Sequence, residues 1–116
     1  MNRQDLGNDI LQLMTKDMEV LKAKNADYAE DDDALSNLRD FGLVGVGARI
    51  SDKYHRLKTF LMGKAYSVKN ESVLDTVGDL RRHCYLFELL FRELGGGEGK
   101  EEYNYAEISH GKPERS

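Results

Sequence analysis

The stretch Val73-Leu74-Asp75-Thr76-Val77-Gly78-Asp79-Leu80-Arg81-Arg82-His83-Cys84-Tyr85-Leu86-Phe87-Glu88-Leu89-Leu90-Phe91-Arg92-Glu93-Leu94 decides the fold class. Val73, Leu74, Val77, Leu80, Cys84, Leu86, Leu89 and Leu90 recur along it to Leu94 with the periodicity of a long helix, the strongest in the chain. The glycines at 95, 96, 97 and 99 stop that helix. Upstream, a polar loop over 64–70 separates it from a second long helix. That helix runs from Ala48 to Met62, with Ile50, Tyr54, Leu57, Phe60 and Leu61 on one face and Gly63 at its end. Asp33 is placed to cap a short helix through Ala34, Leu35, Leu38 and Phe41 that Gly42 ends. Gly45-Val46-Gly47 lacks the Lys-Ser/Thr ending and the preceding strand of a phosphate loop, and reads as a flexible approach to the second long helix.

From about Asp5 to Lys24, Leu6, Ile10, Leu11, Met14, Met18 and Leu21 fall at spacings of three and four, giving a first long helix. No alternating apolar run of strand length occurs. The expected fold is therefore all-α: a small bundle of three long helices and one short one over residues 1–94, with a polar tail over 95–116. The tail is weakly periodic apart from Tyr103, Tyr105 and Ile108, and is expected to be dispensable. With 116 residues the chain has room for one small core, while each long helix carries a wide apolar face. Dimerisation that completes a larger bundle is the expected remedy.

Composition narrows the function. A net charge of -4 argues against a protein that grips a long nucleic-acid duplex through its phosphates, which takes a basic face. A small anionic ligand needs only a few local cations. No window supplies the roughly 18 apolar residues of a membrane span, and no apolar stretch follows Arg3, so a cytoplasmic location without a membrane partner is expected. The single cysteine, Cys84, cannot form an internal disulfide and is expected in the core or at a helix interface. His55, His83 and His110 lack metal-ligand spacing.

Three constellations carry potential chemistry. At about 100° per residue, Glu71, Asp75 and Asp79 share one helix face. Like charges repel at such spacing, so an inward-facing stripe needs magnesium or arginines to compensate it; an outward-facing one is a solvated acidic surface. Arg49, Asp52, Lys53 and Arg56 line one side of the second long helix. They suit phosphates, ion pairs with the acidic stripe across the bundle, or an exposed charged surface on which Lys53 and Lys58 are solvated. Lys24-Asn25-Ala26-Asp27-Tyr28, followed by Asp31, Asp32, Asp33 and Asn37, reads as a helix end and acidic loop, or as the donors, acceptors and ring that recognise a base.

Taken in order, Lys24-Asn25-x-Asp27-Tyr28, Asn37, Arg49-x-x-Asp52-Lys53-x-x-Arg56-Leu57 and Glu71-Ser72-x-x-Asp75-Thr76-x-x-Asp79-Leu80 resemble the first nucleotide-modification-associated domain family of phage and bacterial proteins. The resemblance covers residues 24–80 and implies nucleotide metabolism linked to modified phage DNA bases. More remotely, Leu74–Leu80 is similar to the metal-binding helix of all-α nucleoside triphosphate pyrophosphohydrolases of the MazG and dimeric dUTPase type. That likeness implies magnesium held by acidic residues of two helices, with a nucleoside monophosphate and pyrophosphate as products. Thr76 stands where that pattern has Glu, and Asp52 amid bases replaces a Glu-x-x-Glu cluster.

The resulting expectation is a magnesium-dependent nucleotide-handling protein. Glu71, Asp75 and Asp79 hold the metal with Asp52. Arg49, Lys53 and Arg56 bind phosphates, and Lys24, Asn25, Asp27, Tyr28 and Asn37 contact the rest of the nucleotide. The alternatives are a non-catalytic nucleotide-binding or DNA-modification accessory protein, and a structural homo-oligomer laced by cross-helix ion pairs.

Overall fold

The computed structural model describes residues 1–28, 35–63 and 72–95, with 25–28 described as backbone only. It is all-α, with helices α1 (Arg3–Tyr28), α2 (Ser36–Leu61) and α3 (Val73–Glu93) and no strand among the described residues. None of these helices is long and apolar enough to cross a membrane. The expected cap at Asp33, the loop over 64–70 and the tail from Gly96 onward lie outside the described residues.

The chain divides into two compact units, Met1–Ala34 and Leu35–Ser116. In the first, Asn2 starts α1 by accepting the Asp5 N–H on its side-chain oxygen at 2.8 Å, which satisfies one of the donors a helix start leaves open. The helix continues through Asn25, Ala26, Asp27 and Tyr28, so the expected break at Asn25 is corrected: these residues form its last turns. Leu6, Ile10, Leu11, Met14 and Met18 are each about half exposed, whereas Asp17 is fully buried.

The second unit is a helical hairpin. Its first helix joins what the sequence divides into a short and a long helix. Gly42 does interrupt the regular path, at φ 71° and ψ 178°, a conformation in which a Cβ is strained. Regular helix resumes at once, and Gly45-Val46-Gly47 is helix interior instead of a flexible approach. Next to the kink, a Cβ on Gly45 would stand 2.8 Å from the Cβ of Phe41, so a bare backbone is required for that bend.

Helices α2 and α3 run antiparallel, because Arg39 near the start of α2 pairs with Glu93 at the end of α3, while Lys53 further along α2 pairs with Asp79 near the start of α3. Between the two pairs lies the core, Leu43 and Val46 from α2 against Leu90 and Leu94 from α3, flanked by Leu38, Ile50, Phe87 and Phe91. Cys84 is exposed, so of the two places expected for it, the core or a helix interface, the core is excluded.

Leu90 is fully buried in this small cluster. Leu90→Ala is expected to destabilise the fold by about 2–4 kcal/mol, through lost transfer energy and the cavity left behind. Gly42→Ala is expected to cost about 1–2 kcal/mol by forcing a side chain into positive φ. Urea denaturation followed by helical circular dichroism measures both.

Candidate functional site

Of the charged groups that the sequence singles out on two helices, Lys53 of α2 and Asp79 of α3 meet near the start of α3. Ser72 sets that start: its Oγ accepts the Asp75 N–H at 3.0 Å, and Asp75 Oδ2 accepts the Ser72 N–H at 3.2 Å. This reciprocal capping box fixes where the helix begins and therefore where its charges fall. Asp75 is thus engaged with the helix end, where a carboxylate is also favoured by the helix dipole.

One turn further, Asp79 lies between two cations. Lys53 Nζ of α2 stands 3.1 Å from Oδ2, and Arg82 Nη2 donates to Oδ1 at 2.8 Å. All three side chains are largely withdrawn from solvent, Lys53 being only 16% exposed, so Lys53 is not the solvated lysine that its pattern suggests. Arg82 folds back over Gly78, where a Cβ would meet the guanidinium nitrogens at 3.0 and 3.3 Å. His83 Nδ1–H donates to the Asp79 backbone carbonyl at 2.7 Å. Burial alone pushes the Asp79 carboxyl up, but hydrogen bonds and charge from Arg82 and Lys53 outweigh it and hold the group below the ordinary value of 3.8. Asp79 is therefore a firmly ionised carboxylate.

The remaining α2 charges do not all join it. Arg49 is exposed. Arg56 Nε lies 3.5 Å from Asp52 Oδ2 within the same helix, so Lys53 is the residue of this row shown bridging to the acidic stripe. Asn37 is exposed in the first turn of α2, and Lys24 is exposed near the end of α1. Asn25, Asp27 and Tyr28 contribute only their helical backbone to this description. Glu71 lies outside the described residues.

The chain matched no family model, no curated protein and no solved structure.

A magnesium ion takes hard oxygen ligands, usually one or two carboxylates together with waters and substrate phosphates. The described carboxylates do not fit that role as arranged. Both Asp79 oxygens face cations, Asp75 closes the capping box, and Asp52 lies beside Arg56. Among the described residues no three His, Cys, Asp or Glu side chains stand together as metal ligands. Thr76, at the position where the pyrophosphohydrolase pattern carries Glu, is fully buried, so a carboxylate there would be turned into the protein interior.

Two contributors escaped the sequence reading. Arg82 was detectable, since a residue three positions after an acid on a helix shares its face. The Arg39–Glu93 pair was not, because 54 residues separate its partners and only the fold brings them together.

Asp79→Asn is expected to lower stability near neutral pH by about 1–2 kcal/mol, by leaving Lys53 and Arg82 partly buried without their acid. Because the folded carboxyl titrates below 3.8, its contribution is complete above that value and is lost as pH falls through the depressed one. The gap between wild type and variant should therefore close in acid, as read by urea denaturation across a pH series.

Proposed function

We propose that the α2–α3 hairpin handles nucleotides, receiving the phosphates of a nucleoside triphosphate on the basic row of α2. The supporting observation is the Lys53–Asp79 contact at 3.1 Å, which brings that row alongside the acidic start of α3. Arg49 is exposed beside it, and Arg56 follows seven residues along the same helix side, about 10.5 Å away along the axis. Such a pair can clamp an extended anion with charge-assisted hydrogen bonds. The motif resemblance over residues 24–80 points the same way, towards phage nucleotide or modified-base metabolism.

The reading is one of binding. Magnesium-dependent hydrolysis to a monophosphate and pyrophosphate is what the remoter likeness implies. With Asp79 held by Lys53 and Arg82 and Asp75 by Ser72, we assign Asp79 to joining the two helices and Asp75 to capping α3, and derive no hydrolytic step from them. A second reading has its own support: the same ion pairs satisfy each other without any ligand, as a purely structural oligomer would require.

Isothermal titration with canonical and modified nucleoside triphosphates, with and without magnesium, separates these readings, with mass spectrometry of the products alongside. Triphosphate binding is expected, and Arg56→Ala should weaken it by about 1.5–3 kcal/mol if a charged hydrogen bond is lost, with little effect on a nucleoside lacking phosphates. Pyrophosphate release would establish the hydrolytic form. No binding at millimolar concentration would leave the structural reading in place.

A further inference from the structure

Asp79 is charge-balanced as a metal ligand would be, with the positive charge supplied by the chain itself. Lys53 Nζ lies 3.1 Å from Oδ2, and Arg82 Nη2 lies 2.8 Å from Oδ1, so each carboxylate oxygen faces one cation. Together the lysine and the arginine carry the charge of one divalent ion. Lys53 reaches across from α2 and Arg82 comes from the next turn of α3, so the carboxylate is met from two directions.

Three features set this arrangement apart from a chance pairing of surface charges. Lys53 and Arg82 are only 16% and 13% exposed, and Asp79 26%. An ion pair in open water is weak, but at this depth removing one partner strands the others with their charge uncompensated. Gly78 gives the guanidinium its seat, because a Cβ there would press on the two Arg82 nitrogens at 3.0 and 3.3 Å. The neighbourhood also offers a metal little else. Thr76 is fully buried and uncharged, and Asp75 is engaged in the capping box.

A divalent ion arriving at Asp79 would have to displace two cations and give up water for a carboxylate that is already neutralised. Magnesium, which dehydrates reluctantly, is poorly suited to that exchange. Without the two cations the balance reverses. Asp79 would then be a partly buried carboxylate lacking a counter-charge, with Asp75 four residues back on the same helix face as a second oxygen donor.

We propose that Lys53 and Arg82 take the place of a divalent metal at Asp79 and close it to metal ions, so that removing both cations uncovers a metal-binding site at Asp79 and Asp75. This does not depend on the nucleotide reading; where that reading holds, any metal beside this carboxylate arrives with the ligand.

Thermal unfolding followed by helical circular dichroism tests it, in magnesium or manganese chloride against sodium chloride of equal ionic strength. Electron paramagnetic resonance of free manganese measures binding alongside. Wild type and the double variant Lys53→Met, Arg82→Met are each compared with their Asp79→Asn counterpart, so that metal held anywhere else cancels. The Asp79-dependent shift of the midpoint should stay below about 1 °C in wild type and reach at least about 4 °C in the double variant, with Asp79-dependent manganese binding only in the latter. An equal shift in wild type would overturn the proposal, since metal would then be displacing the cations. So would a double variant with no Asp79-dependent response. Should the double variant unfold without metal, recovery of helix on adding manganese supports the proposal. If it stays unfolded, Arg82→Met alone decides by the same comparison, a metal response supporting the proposal and its lack overturning it.

Discussion

The hairpin depends on keeping Leu90 dry. Among the described residues four apolar side chains form its core, and burying each side chain of this kind contributes about 1.5–3 kcal/mol. That sum is modest beside the conformational entropy of ordering two helices, so the packing must be held in one register to count. Arg39–Glu93 and Lys53–Asp79 flank the core on either side. A slide of either helix by one turn would separate both pairs and move Leu43 and Val46 off Leu90 together. The ion pairs act chiefly as register pins, for which geometry matters more than their net energy.

Asp79 shows why an acidic stripe is an ambiguous sign of chemistry. Three carboxylates at successive turns suggest a metal because something must offset their repulsion. Here the offset of Asp79 comes from protein cations, Lys53 across the interface and Arg82 on its own helix, and Asp75 is satisfied by capping. Gly78 belongs to the same device, since a side chain at that position would contend with the folded-back guanidinium.

The kink at Gly42 shapes the hairpin. Gly42 lets the two segments of α2 take different directions while the chain keeps going, so Leu38 and Leu43 both reach the α3 side. The core formed in this way leaves one border of α3 with half-buried aromatics and an exposed thiol.

Residue order alone determined the helical class, the limits of α3 and the break at Gly42, because periodicity, capping side chains and positive-φ glycine are local properties. It offered ion pairing between the α2 row and the acidic stripe as one reading among several, with Lys53 expected on a solvated face. It misjudged the end of α1 and the glycines at 45 and 47, where local propensity is a weak preference that a continuing helix overrides. Which charge met which was decided by tertiary structure. Lys53, and not Arg49 or Arg56, bridges to Asp79, and Arg39 finds Glu93, because ion pairing over 54 positions depends on how two helices rotate and slide against each other. That relative placement follows from packing around Leu90, and no spacing within either helix contains it.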